Sequence, residues 1–269
     1  MAPAPVAQIA DELRSLGLVE GDTVMVHASL RRVGPVEGGA DGLLAAIDAA
    51  IGPAGTTLMV LGATDEMAWV NDRPEHERAA LLAGSEPFDH QTTPADPDVG
   101  TLAEVFRTRA GSRVSDHPEG RFAAAGRLAG HMTEDVPWDD YFGPGSPLER
   151  LVAAGGKVLR LGADPGTVTL MHYAEYLVDL PAKRRVRRYR MVRTAAGREV
   201  RVVDSLDDSN GIVDVEGDDY FETILSAYLA TGKASTGLVG DAASELIDAD
   251  DLVAFAVDWM AEHLAPAAH

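Results

Sequence analysis

Short apolar runs recurring between helical stretches constrain this chain more than any other feature of its sequence. Thr23–Ala28 (TVMVHA), 56–61 (TTLMVL) and Lys157–Leu161 (KVLRL) read as buried strands. Helical periodicity fills the intervals. Val6–Leu16 ends at Gly17, and 41–51 stops at Gly52-Pro53. Further helices are expected over 102–109, over 146–154, over 167–180, over Tyr220–Ala230 and over 250–264. The 146–154 helix opens on Ser146-Pro147, a capping residue followed by proline at the first helical position.

Alternation of this kind predicts a layered α/β/α fold. Segments 186–192 and 198–203 flank Ala195-Ala196-Gly197 and read as a hairpin, so the central sheet should be mixed. Residues 64–98 break the pattern: they carry Pro74, Pro87, Pro94 and Pro97 and little periodicity. A long irregular segment inside a compact domain is usually a lid or binding loop. With no internal repeat and no low-complexity linker, residues 1–269 are expected to form a single domain, with the 64–98 loop part of the substrate cleft.

The formal net charge of −20 argues against nucleic acid, which needs a cationic footprint, and favours small cationic substrates. Cysteine is absent, which excludes a disulfide scaffold, a thiolate nucleophile and a cysteine-based zinc site. The N-terminus MAPAPVAQIADEL has no basic n-region or long apolar core, and no apolar run is long enough to span a bilayer. A soluble, cytoplasmic protein is expected, without a membrane partner and acting as a monomer or homodimer.

The sharpest chemical pattern is Thr167 to Glu175 (TVTLMHYAE), where the strand Lys157–Leu161 turns towards a helix. Ligands bind at the carboxyl ends of strands in open α/β sheets. Thr169, His172 and Glu175 recur every third residue, so on a helix they are neighbours. A carboxylate beside an imidazole orients it as a general base, and a threonine hydroxyl can donate to a developing oxyanion. A chance surface ion pair fits the same spacing. HExxH and GxSxG are absent, so a zinc or Ser-His-Asp hydrolase is disfavoured and no metal is expected. A second pattern, His27 to Gly34 (HASLRRVG), ends the first strand in small, hydroxyl and basic residues that can hold phosphate, or can form an ordinary solvated turn. It is neither a Walker loop nor GxGxxG, and Val36 stands where the common N-acetyltransferase fold needs Gly or Ala. Ser115-Asp116-His117-Pro118 reads as an ordered turn.

Taken together, VHASLRRVG (26–34), IGPAGTTLMV (51–60), SDHP (115–118), GPGSPLERL (143–151), TVTLMHYAE (167–175), LPAKRRV (180–186) and DSNGI (208–212) resemble the aminoglycoside 3-N-acetyltransferases of the antibiotic N-acetyltransferase family, in the family's order. The resemblance implies transfer of acetyl from acetyl-CoA to the 3-amino group of a 2-deoxystreptamine ring. It implies His172 as catalytic histidine, Glu175 as its carboxylate partner, Asp208 as an acid near both histidine and amine, and Thr169 at the thioester carbonyl. Ser29, Leu30, Arg31, Val33, Gly34 and Ser115 match coenzyme contacts.

Residue chemistry agrees with this. A substrate ammonium must lose a proton before attacking a thioester, and a neutral imidazole can take it. Without cysteine the best acyl carrier is missing, which favours direct transfer in a ternary complex. Glu66, Asp72, Asp164, Asp208, Asp214 and Glu222 are candidates for holding a polycationic substrate, and Trp69 and Tyr141 for packing on sugar faces. Nine of the 23 basic residues fall between Lys183 and Arg201. They read as a strand face pairing with nearby acids, with supply of charge to coenzyme phosphates as an alternative. The same machinery acting on another amine metabolite, and aminoglycoside binding without catalysis, remain open alternatives.

Overall fold

A computed structural model describes residues 2–214 and 220–265. Nine strands are present among them: β1 (Thr23–Ala28), β2 (Thr56–Val60), β3 (Arg113–Val114), β4 (Phe122–Gly126), β5 (Lys157–Leu161), β6 (Arg185–Thr194), β7 (Gly197–Leu206), β8 (Ser235–Val239) and β9 (Ala242–Asp248). Seven form one sheet in the order β3-β4-β2-β1-β5-β9-β8, and β6 and β7 form a separate hairpin. The three central strands β2, β1 and β5 are parallel. β4 joins β2 and β9 joins β5 antiparallel, so the sheet is mixed through these strands and not through the hairpin, which stands apart from it.

Side-chain alternation along these strands builds the layers. Val24, Val26, Met59, Leu159 and Leu161 enter one core with the helices Val6–Leu16, Gly39–Ile51 and Thr101–Thr108. Met25, Leu58, Phe122, Val158 and Ile247 enter the opposite core with Pro147–Ala153, Met171–Leu177, Tyr220–Ala230 and Ala249–His263. Helix on sheet on helix is the expected α/β/α layering.

Several elements differ from expectation. The 64–98 segment is not irregular throughout. It holds an α-helix, Glu75–Leu82, and short 3-10 turns at Ala68–Asp72 and Pro97–Val99. Pro74 precedes the helix and Pro97 opens the second turn, positions where the missing N–H is tolerated, while Pro87 and Pro94 lie in the irregular stretch between them. Leu82 and Val70 pack on Met191 of the hairpin, and Phe88 bridges to Val192. Arg121, wholly buried, donates to the carbonyls of His90, Pro94 and Gly62 and pins the segment to the start of β4. The helix expected over 167–180 is shorter, because Pro165–Thr167 forms a 3-10 turn and the α-helix spans only Met171–Leu177. Strands β3, β4, β8 and β9 lie outside the sequence expectation. The run FAAAG of β4 carries little β-propensity and is held by pairing to β2.

Position of the site follows from this topology. The chain leaves β1 for β2 on one side, while β5 lies on the other. Their helices, Gly39–Ile51 and Pro147–Ala153, cover opposite faces. A crevice opens at the carboxyl ends of strands where the winding reverses in this way.

Candidate active site

The loops leaving β1 and β5 converge on a cavity of about 490 Å³. Ser29, Leu30 and Arg31 form one wall. Asp164, Thr167, Thr169 and His172 form another, and Gly100 and Thr101 a third. The walls are tied together: Ser29 N donates to the Leu161 carbonyl at 3.0 Å, Arg32 Nη1 to the Gly162 carbonyl at 2.6 Å, and Arg32 Nη2 pairs with Asp164 at 2.6 Å.

His172 occupies the first turn of Met171–Leu177. Its Nδ1 lies 2.7 Å from Glu175 Oε2, one turn on. A carboxylate only accepts, so Nδ1 carries the hydrogen and the neutral ring keeps its basic lone pair on Nε2. Glu175 is 1% exposed, and its second oxygen, Oε1, accepts from the Tyr220 hydroxyl. Phe142 stacks on the imidazole at 5.0 Å and Phe221 meets it edge-on at 4.7 Å. The ring is thereby fixed in position and tautomer with one edge on the cavity.

Asp208 follows the hairpin and lies close enough to His172 for the two to interact electrostatically. Its Oδ2 accepts from the Tyr141 hydroxyl at 2.5 Å, and its Oδ1 pairs with Arg188 Nη2 at 2.6 Å. Burial pushes its pKa up, but Arg188, His172 and the tyrosine hydroxyl together bring it below the usual carboxylate range. Burial and the Asp208 charge push the Tyr141 phenol up, so it remains a donor. Arg188 also borders a second cavity, about 710 Å³, between the 64–98 segment and β6. Asp65, Asp72, Asp96, Glu119 and Asp207 line it as well. His172 thus lines the first cavity, while the neighbours of Asp208, namely Arg188, Asp207 and Ser209, line the second.

A family model described as aminoglycoside 3-N-acetyltransferase, of the antibiotic N-acetyltransferase type, matches residues 25–261. The chain belongs to this family. Aminoglycoside N(3)-acetyltransferase VII of Streptomyces paromomycinus is 39% identical over 97% of this chain and 93% of its own length. Among solved structures, AAC-IIIb in binary complex with CoASH superposes with a TM-score of 0.92 at 37% identity, covering 100% of both chains. The neutron/X-ray structure of sisomicin-bound AAC-VIa gives 0.90 at 35%, covering 97% of this chain and 99% of that one.

Within the family fold, the expected residues fall into groups. Ser29, Leu30, Arg31, Asp164, Thr169 and His172 share the first cavity. Asp164 had been expected to hold substrate, yet it sits on this wall bound to Arg32. Asp72 lines the second cavity, while Glu66 borders a third, smaller one that shares Asp65 and Arg190 with it. Val33 is buried in the core, and Gly34 closes a turn at φ 82° against Asp241, so neither reaches the first cavity. Ser115 is wholly buried and its Oγ accepts from Phe122 N at 2.8 Å, which makes it a fastener of β3 to β4. Asp214 projects outward and pairs with Arg184, and Glu222 is exposed on Tyr220–Ala230. Neither lines the two cavities. The ring of Tyr141 is buried, so it presents no face to a sugar and acts through its hydroxyl, whereas Trp69 is exposed beside Arg73.

Tyr220, Arg188, Phe142 and Phe221 were not legible as site residues. Their role lies in contacts across the fold, and local spacing carries no signal of it. The arginines of 183–201 pair with acids as expected: Arg185 with Asp204 and Asp140, Arg187 with Glu75, Arg190 with Glu119 and Asp65, and Arg193 with Asp89. No described helix is long and apolar enough to cross a membrane.

Proposed function

We propose that this protein transfers acetyl from acetyl-CoA to the 3-amino group of a 2-deoxystreptamine aminoglycoside, by direct attack in a ternary complex, and so confers resistance. One observation carries the reading: a histidine on the wall of one cavity, held by a buried carboxylate and acting on the charge of Asp208, whose neighbours Arg188, Asp207 and Ser209 line a second cavity. The whole chain is read as one acetyltransferase domain working in the cytoplasm.

The first cavity suits the coenzyme arm. Its volume falls in the range of small-molecule sites, and it offers the Ser29 hydroxyl, the Arg31 guanidinium and the apolar Leu30. Arg31 is placed to meet phosphate, and Leu30 to meet the alkyl arm. The coenzyme supplies the thioester that acetylates the amine.

The second cavity takes the amino-sugar, with the 64–98 segment as its outer wall. Asp208 attracts the ammonium and, by staying ionised, orients the amine towards His172. His172 Nε2 removes the proton that frees the nitrogen lone pair. Glu175 stabilises the imidazolium that results, and Tyr220 keeps Glu175 from rotating away. Thr169 presents its hydroxyl on the same wall as His172, where the carbonyl oxygen gains charge.

Incubation with acetyl-CoA, a thiol-detecting dye and an aminoglycoside tests the reading. Free thiol should appear together with a product one acetyl heavier, mapped to the 3-nitrogen. Acetylation at another nitrogen, or protection that does not depend on acetyl-CoA, would overturn it.

A further inference from the structure

The second cavity is much less acidic than the chain that contains it. Six carboxylates and five guanidiniums line it, in a protein whose formal net charge is −20. Four of those guanidiniums, from Arg185, Arg187, Arg188 and Arg190, stand on β6. Each is already engaged with an acid. Arg190 lies 2.9 Å from Glu119 and 3.1 Å from Asp65. Arg187 pairs with Glu75, Arg185 with Asp204 and Asp140, and Arg188 with Asp208. Asp207 is occupied by the backbone N–H groups of Ser209 and Asn210. Among the described acids of this wall, Asp72 and Asp96 form no ion pair with a guanidinium, and Asp96 accepts only from Asp98 N through one of its oxygens.

An ammonium group entering such a cleft meets two kinds of carboxylate. At Asp72, or at the second oxygen of Asp96, it gains a counter-ion without displacing a guanidinium. At Asp65, Glu75 or Glu119 it must displace a guanidinium, so the gain is the difference between two ion pairs. Every further charge on the substrate is thus worth less than it would be in a cleft of bare acids, and it still loses its hydration.

We propose that the β6 arginine row is a specificity device. It makes the cleft favour amino-sugars with few ammonium groups, seated on Asp72 and Asp96, over more highly charged ones. This rests on the acetylation reading and refines its substrate class.

Arg187 provides the mildest test, because its side chain is half exposed and outside the machinery around His172. Calorimetric titration of the full chain with deoxystreptamine aminoglycosides of increasing amine number, at several salt concentrations, reads affinity without requiring turnover. Arg187→Gln should bind the most highly charged member roughly three- to five-fold tighter, with a steeper salt dependence, and the least charged member within about twofold of the parent. Arg187→Lys, which keeps the cation, should return affinities to the parent values. Arg190→Gln should act in the same direction and more strongly, and where it fails to fold Arg187→Gln decides alone. Unchanged or weaker binding of the highly charged member by Arg187→Gln would overturn the proposal. Thiol release run alongside separates the two claims, since absent acetylation with altered charge selectivity would strike the reaction and leave the arginine row standing.

Discussion

Tyr220 donates its hydroxyl to Oε1 of Glu175, the oxygen opposite the one that holds His172. Tyr220, 45 residues from Glu175 in sequence, thus joins His172 in fixing one buried carboxylate. Removing the hydroxyl leaves an acceptor in an apolar setting, where a bond to a charged group is worth about 1.5–3 kcal/mol. Tyr220→Phe should lower stability by about that amount and kcat by roughly tenfold. Denaturant melts and steady-state rates on the same variant check both numbers.

Asp208 depends on two donors in the same way. Tyr141→Phe removes the bond to Oδ2, and Arg188→Met removes the cation that contributes most to its ionisation. Each change raises the Asp208 pKa, so the acid is protonated over more of the acidic range. The acidic limb of kcat/KM against pH should move towards neutrality and KM for the aminoglycoside should rise by roughly tenfold, about 1.4 kcal/mol. An unmoved limb would mean that Asp208 does not act as an anion.

Two other histidines set acid stability. Burial and Arg160 bring His27 down to about 4, and burial brings His117 down to about 4, against an ordinary 6.5. The unfolded chain therefore binds more protons than the folded one between those values. Stability is constant above about 6.5 and falls as pH drops towards 4, by about 3 kcal/mol per histidine. In His117→Gln the slope of stability against pH over that window should be about half that of the parent, whatever the absolute loss.

Gly34 illustrates how a sequence motif and its structural cause can separate. Its position in HASLRRVG resembles a coenzyme contact, but its backbone lies at φ 82° and a Cβ there would stand 2.4 Å from Asp241 Oδ2. Gly34→Ala should lower stability by about 1–2 kcal/mol, through backbone strain and displacement of Asp241. Thermal melting measures it, and an unchanged melt would show that the turn relaxes freely.

The α/β layering was legible because β1, β2 and β5 are short apolar runs bounded by clear helix signals. His172 and Glu175 were legible because three-residue spacing survives even though the helix begins only at Met171. What escaped had no local signature. Ala123 to Ala125 become a strand only by pairing with β2, and the helix Glu75–Leu82 hides among prolines. Ser115 matched a motif whose local reason is a buried hydroxyl holding Phe122. Arg188 lay within a basic stretch whose alternation gave the pairing with acids but not which acid each arginine meets. Tyr220 follows residues 215–219, which lie outside those described, and its partner is set by tertiary packing.

Turnover of His172→Ala tests the central claim most directly. With saturating acetyl-CoA and aminoglycoside, thiol release should fall by about two to four orders of magnitude, while the KM for acetyl-CoA stays within roughly threefold of the parent. A kcat within about threefold of the parent would show that some other group takes the proton from the amine.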